Sequence, residues 1–246
     1  MKKIIMTTAA ILAAVSLFAQ SSKDRLSELE NAPVKESKKA PKPQKESKLL
    51  DFDIIAEIGY GWHFIEEDQF SSKLKGNKTS DFYFNVFELS LNPLKWASLT
   101  LGANLEWAKY VPHSDYYFHG VPDGDSRKLD LTPIGAAMDD VYSKLSVFSI
   151  GVPLGFDMHF GSTRLRAGAE ANFRIKSGSE YSYENPDGDK HSVKDSTPTG
   201  LKPFAVNYFA SLSLGFIGIY VKYYPESISP AIPMNCITAG ILLNSR

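Results

Sequence analysis

The chain has 246 residues, 27 basic and 28 acidic side chains, a formal net charge of −1 and one cysteine. Near-neutrality gives no reason to expect nucleic acid or another polyanion as partner, and a lone cysteine rules out a disulfide-stapled scaffold. The length suits one barrel-sized domain with an appended segment, and no dense Cys/His tract points to a metal or cofactor.

Residues 1–19, from "MKKIIMTTAAILAAVSLFA", read as a secretory signal peptide. Lys2 and Lys3 precede an apolar run from Ile4 to Phe18, and small Ala19 follows. Cys236 lies far from this cleavage region, so lipid anchoring is not indicated. Residues 20–50 change character to Lys, Glu, Ser and Pro, the composition of a disordered periplasmic linker. Within it Ser22 could cap a short helix carrying Leu26 and Leu29.

From residue 51 a two-residue beat begins. "DFDIIAEIGYGWHF" sets Phe52, Ile54, Ile58, Tyr60, Trp62 and Phe64 against Asp53, Glu57, Gly59, Gly61 and His63. The next segment, "FYFNVFELSLN", alternates cleanly only from Phe87, with Leu89 and Leu91 opposite Glu88 and Ser90. "SLTLGANLEW" opposes Leu99, Leu101, Leu105 and Trp107 to Thr100, Gly102, Asn104 and Glu106. "VYSKLSVFSIGVPLGF" is weaker, because Lys144 falls on the apolar side and Pro153 removes a ladder donor. Either Lys144 stands beyond the apolar zone or a bulge shifts the register.

"TRLRAGAEANFRIK" then alternates without a break: Arg164, Arg166, Glu170 and Arg174 oppose Leu165, Ala167, Ala169 and Phe173. "FAVNYFASLSL", "IGIYVKYY" and "NCITAGILLN" complete a set of eight segments of the length that crosses a hydrocarbon layer at a tilt. Residues 204–221 carry no charge and are long enough for a transmembrane helix, but Asn207, Ser211 and Ser213 keep the strand beat. Connections after odd-numbered segments are long and polar, and those after even-numbered ones are short, as in "PLK", "DMHFGS" and "GF". Trp62, Trp96 and Trp107 fall at segment ends, where an aromatic girdle belongs. The pattern predicts an all-β fold for residues 51–246: an eight-stranded antiparallel up-and-down transmembrane β-barrel, monomeric, with the lipid bilayer of an outer membrane as its solvent. The greasy row faces acyl chains and the charged row faces inward.

"SVFSIGVPLGFDMHFGSTRLRAGAEANFRI" (146–175) and "IGIYVKYYPES" resemble strands of the outer-membrane β-barrel family that includes PorT-like proteins. The resemblance implies an eight-stranded outer-membrane barrel and carries over no catalytic residue. It also implies a role as a secretion or assembly accessory as one option. Such barrels usually finish on an aromatic residue, whereas this sequence ends "GILLNSR".

A barrel this narrow is filled by its own side chains. The expected lumen network is Asp53, Glu57, Glu88, Glu106 and Glu170 against Arg164, Arg166, Arg174 and Lys222, a near-balance of signs. A sharper alternative is a proton or ion path through Glu57, Glu88 and Glu170. Tyrosine-rich loops supply binding candidates for a surface protein or glycan: Tyr110, Tyr116, Tyr117, Phe118, Tyr181 and Tyr183. The near-repeat "PDGD" at 122–125 and 186–189 signals hairpin turns more than a cation site of Asp123, Asp125, Asp187 and Asp189. His113-Ser114 and His191-Ser192 lack an identifiable acidic partner, and His113 and His119 match no common metal spacing, so no enzyme is expected. Cys236 should pack inward. Binding at the cell surface (envelope integrity, adhesion or partner docking) is the leading function, with a small transporter or secretion accessory second and a lipid-modifying enzyme third.

Overall fold

The computed structural model describes residues 49–65, 78–113, 115–124, 126–135, 138–195, 200–228 and 235–244. The signal and linker readings, and most of the loop between the first two strands, lie outside them. Among the described residues eleven strands run in chain order: β1 (Leu50–Ile65), β2 (Ser80–Leu94), β3 (Ala97–Tyr110), β4 (Tyr116–Asp123), β5 (Ser126–Pro133), β6 (Asp139–Phe160), β7 (Thr163–Glu184), β8 (Lys190–Asp195), β9 (Phe204–Leu214), β10 (Ile217–Tyr224) and β11 (Cys236–Asn244).

Eight of these close a barrel. The order β6-β3-β2-β1-β11-β10-β9-β7 is sealed by antiparallel pairing of β6 with β7, so each barrel strand lies beside its chain neighbours. No sheet edge in the barrel wall is left unpaired, which is what a hydrocarbon environment demands of a backbone. The eight are the eight alternating segments. β8 extends the sheet beyond β7, and β4 with β5 forms a separate hairpin in the connection from β3 to β6. At one end the turns are short, with Gly161 and Gly215 at φ 64° and 62°, the left-handed conformation that tight hairpin turns require.

The alternation maps onto two environments. Leu99, Leu101, Leu154, Phe156, Ile219, Ile241 and Leu243 stand on the outside with roughly half their surface uncovered, and Ile54 and Leu214 reach 69% and 65%. An encircling band of exposed large apolar residues is untenable in water and natural against lipid tails. Trp62, Trp107, Phe82 and Phe148 ring its long-loop end, with Trp107 centroids 5.8 Å from Phe82 and 5.0 Å from Phe148. Trp96, Phe160 and Phe216 ring the short-turn end.

A bulge explains one of the two irregular segments, and height above the belt explains the other. On β2, Asn85 pairs with Asn104 but Phe87 pairs with Ala103, so one extra β2 residue is inserted. Below it Glu88 and Ser90 point inward; above it the inward set slips to Asp81, Tyr83 and Asn85. That slip is why the sequence alternates cleanly only from Phe87. From Tyr142 onward β6 itself carries no slip: Lys144 keeps the outer row's phase and sits above the belt, 2.9 Å from Glu180 directly opposite on β7. The bulge is on β7 instead, where Phe148 pairs with Lys176 and Ser149 with Arg174, leaving Ile175 as the extra residue. Pro153 leaves the β6–β7 register intact, opposite Glu170, while the recorded pairing to β3 skips from Leu101↔Leu154 to Asn104↔Gly151. β6 also runs through "DMHF" as strand, so that expected loop shrinks to Gly161–Ser162.

Candidate functional site

The lumen is filled in layers. Nearest the short turns, Arg164 Nε donates to Asp157 at 2.8 Å and its Nη2 to Glu88 at 3.0 Å, with a second Nη2 contact to Asp157. Arg166 reaches Glu88 at 2.6 Å, Asp157 at 3.3 Å and Glu57 at 4.0 Å, and donates to Thr100 Oγ1 at 3.0 Å. Tyr83 donates its hydroxyl to Glu57. Higher up, Lys222 Nζ binds Glu106 at 2.5 Å and Glu170 at 3.0 Å. Asn104 and Asn207 donate to Glu170, Asn172 donates to Glu106, and Tyr224 donates to Asp81 and Glu106 at 3.0 and 3.2 Å. Inward parity on eight strands puts these groups together, and mutual satisfaction makes their burial tolerable.

Asp157 and Asp81 join the network without having been expected, the first hidden in a presumed loop and the second above the β2 bulge. Asp53 is half-buried opposite Glu88 on the register of β1 and β2. Arg174 is a correction: its Nη1 donates to the Lys202 and Ile228 carbonyls at 2.8 and 3.4 Å, tying down loop backbone rather than meeting carboxylates. The bulge at Ile175 marks the level where the lumen network gives way to the mouth. The near-balance of signs is corrected as well. Glu57, Asp81, Glu88, Glu106, Asp157 and Glu170 are buried against the cations Arg164, Arg166 and Lys222. Tyrosine hydroxyls and asparagine amides supply the donors that missing cations do not. Between the layers a cavity of about 30 Å³ touches Glu57, Tyr83, Asn85, Asn104, Arg166 and Glu170, among other residues, which is room on the scale of a water molecule.

Above this, His63 is fully buried. Its Nδ1 lies 2.6 Å from Thr238 Oγ1 and 3.1 Å from Cys236 Sγ, and Tyr110 stacks on the ring at 5.0 Å. Cys236 is thus a buried packing residue. Tyr110 and Phe118, expected as exposed contact residues, are 4% and 0% exposed. Tyr110 falls on the inward row of β3. Phe118 faces the inner side of the hairpin, where its backbone N–H donates to Ser143 Oγ at 2.9 Å. Both belong to a small core with Ala108, Leu129, Leu145, Val147 and Ile228 that joins the hairpin to the barrel mouth.

The other loop tyrosines remain half-buried and come together. Tyr117 stacks on His119 at 5.2 Å and meets Tyr181 at 4.9 Å; Tyr181 and Tyr183 are 6.3 Å apart, and Tyr183 stacks on His191 at 5.2 Å. Tyr116 is half-buried and sits at the hairpin's base, opposite Pro133. Pro122 and Asp123 end β4 and Gly124 begins the reversal to β5, while Pro186–Asp189 spans the reversal from β7 to β8; Asp125 lies outside the described residues. Exposed His113 pairs with Asp115 at 3.5 Å, and His191 bonds Asn185 at 2.9 Å. Among the described residues no group of three or more His, Cys, Asp or Glu side chains could hold a metal ion. Outside the belt, the Lys144 ammonium holds the Glu180 carboxyl below the usual carboxylate range, and that carboxylate raises Lys144 in return.

No protein-family model matches the sequence, and no curated protein matches it. Among solved structures, the chain is similar to Ail, the attachment invasion locus protein of Yersinia pestis, at 13% identity and a TM-score of 0.33, covering 77% of this chain and 95% of that one. A second structure of Ail, in complex with the heparin analogue sucrose octasulfate, gives 12% identity, a TM-score of 0.30 and the same coverage. Superpositions this loose carry no argument about activity.

Proposed function

We propose that this chain is an outer-membrane anchor for a surface-binding head. The barrel holds it in lipid, the lumen is closed by its own side chains, and recognition takes place on the structured loops at the long-loop end. The carrying observation is the contrast between the two regions. Inside, Glu88 and Glu170 are each held by two or more partners, which argues against a path for ions through Glu57, Glu88 and Glu170. Outside, the hairpin of β4 and β5 is fixed by a core it shares with the barrel mouth, and β6 and β7 run 22 residues each, past the apolar belt. A rigid surface extension of that size suits binding, because loops on a fixed scaffold are where recognition concentrates.

Two measurements test it together. Purified protein in planar bilayers should be electrically silent, and Glu88→Gln should leave it so. Photo-crosslinkers placed in residues 109–140 and 177–202 on intact cells should capture a discrete surface partner, protein or glycan. Steady single-channel conductance, or crosslinking no different from labels in the short turns, contradicts the reading.

A further inference from the structure

The bulge at Ile175 has a consequence above the membrane. Below it the inner face of β7 carries Arg164, Arg166 and Glu170; above it that face passes to Ser179, Tyr181 and Tyr183. Pairing with β8 places Tyr181 opposite Val193 and Tyr183 opposite His191, so all four share one face. The alternating residues Glu180, Ser182 and Glu184 pair with Lys194, Ser192 and Lys190 on the other face. There the charges neutralise one another: Lys144 and Lys194 lie 2.9 and 3.3 Å from Glu180, and Lys190 lies 3.8 Å from Glu184.

The hairpin extends the ring face. Tyr117 and His119 lie on the side of β4 opposite buried Phe118, and Tyr117 meets Tyr181. The result is a row His119–Tyr117–Tyr181–Tyr183–His191 with successive centroid steps of 4.9 to 6.3 Å. A carboxylate stands at one end: Asp130 is opposite His119 and accepts from Thr132, which also contacts His119. Asp195, opposite Ser179, lies on the barrel side of Tyr181 and Val193, away from the His191 end.

We infer that this row is the binding platform for an extended, neutral oligosaccharide, an inference that deepens the surface-binding reading and rests on it. Pyranose rings present C–H groups of slight positive charge to the negative faces and flanks of aromatic rings, and tyrosine does this at low entropic cost. A row of rings matches a chain of sugars better than a single small ligand. The Asp130 carboxylate accepts hydrogen bonds from hydroxyls and repels sulfate or uronate, while Lys144, Lys190 and Lys194 are paired on the opposite face of β7 and β8. Exposed Lys128, two residues from Asp130 on the ring side of β5, is a cation beside that end of the row.

The test uses the full chain in detergent micelles, titrated calorimetrically with neutral hexasaccharides of glucose, mannose and N-acetylglucosamine and with a sulfated hexasaccharide. At least one neutral hexasaccharide should bind. Tyr181→Ala and Tyr183→Ala should each weaken it about tenfold, Tyr181→Phe should retain it, and Lys194→Gln should leave it unchanged. Heat-modifiable mobility on gels establishes that each variant is folded; a Tyr181→Ala that does not fold leaves exposed-end His191→Ala to carry the same expectation. Absence of binding by every neutral sugar at millimolar concentration overturns the inference, as does binding indifferent to the tyrosines. So does preference for the sulfated sugar through Lys194. If cell-surface crosslinks persist while no sugar binds, the surface-binding reading stands and this inference alone falls.

Discussion

Lys222 is the lumen residue whose loss should be felt most. The residue is 3% exposed, and its ammonium lies 2.5 Å from Glu106 and 3.0 Å from Glu170. Replacement by methionine keeps the stem's bulk and strands two buried carboxylates beside Asp81. Removing one partner of a buried ion pair costs about 3–5 kcal/mol. A stranded carboxylate can escape part of that by taking a proton, but at pH 7 this costs about 3.7 kcal/mol for a group of ordinary glutamate pKa, at about 1.36 kcal/mol per unit. The two routes agree, so Lys222→Met should destabilise the barrel by about 3–5 kcal/mol at neutral pH. The loss should shrink as the pH approaches the ordinary carboxylate range. Removing the charges together, as Lys222→Met with Glu106→Gln and Glu170→Gln, should recover most of the stability, since apolar or neutral replacements of a whole buried cluster are often near-neutral. Urea unfolding in lipid vesicles, followed by tryptophan fluorescence, measures all three. A single variant within about 1 kcal/mol of wild type, or a triple variant no better than the single one, would refute the charge-pairing argument.

Phe118→Ala should cost about 3–5 kcal/mol locally, releasing the hairpin to hydrogen exchange while barrel amides stay protected; uniform loss across the barrel would contradict a separate upper core. Leu101→Arg, in the outward belt, should destabilise the membrane-inserted form by about 2–4 kcal/mol, and equal tolerance of Arg and Leu there would mean the belt does not meet hydrocarbon. Gly59→Val should be destabilising by about 1–3 kcal/mol, because a Cβ at Gly59 would run into the Tyr83 ring; Tyr83→Ala in the same chain should relieve the clash. The Lys144–Glu180 pair gives a pH window with a worked sign. Glu180 is lowered, so its contribution is present above the ordinary carboxylate pKa and lost as pH falls through the depressed value; Lys144 is raised, so its contribution is lost only as pH rises through the raised value. Partly exposed and worth about 0.2–1 kcal/mol, the pair should hold the upper ends of β6 and β7 together steadily across neutral pH and loosen them in acid. NMR of the Glu180 amide checks this, and a transition near neutrality would contradict it.

The barrel was legible because lipid and lumen impose opposite demands on alternate residues, and a strand cannot hide that beat. Where it failed, a bulge had changed the phase: Asp81 and Tyr83 could not be seen as inward from a segment whose clean pattern starts at Phe87. Parity reveals which wall a side chain faces but not its height. Arg164 and Arg174 therefore looked equivalent, although one sits among carboxylates and the other holds loop carbonyls ten residues on. Composition misled for Tyr110 and Phe118 in a different way. Tyr110 continues the inward parity of β3 past the alternating stretch that ends at Trp107, and Phe118 looks exposed until the hairpin's own two-sidedness is known, which depends on a tertiary contact with β6. The ring row of Tyr117, Tyr181, Tyr183 and His191 needed three strands, β4, β7 and β8, to be brought together, which no local pattern records.

Brominated-lipid quenching tests the barrel's orientation most directly. Single tryptophans are introduced at Leu101, Leu154 and Ile241, and in separate chains at Thr100, Ser213 and Thr238, each in a background with Trp62, Trp96 and Trp107 replaced by phenylalanine. Acyl-chain bromine should quench the first three strongly and spare the second three; strong quenching at Thr100, Ser213 and Thr238 with none at Leu101, Leu154 and Ile241 would turn the barrel inside out and contradict it.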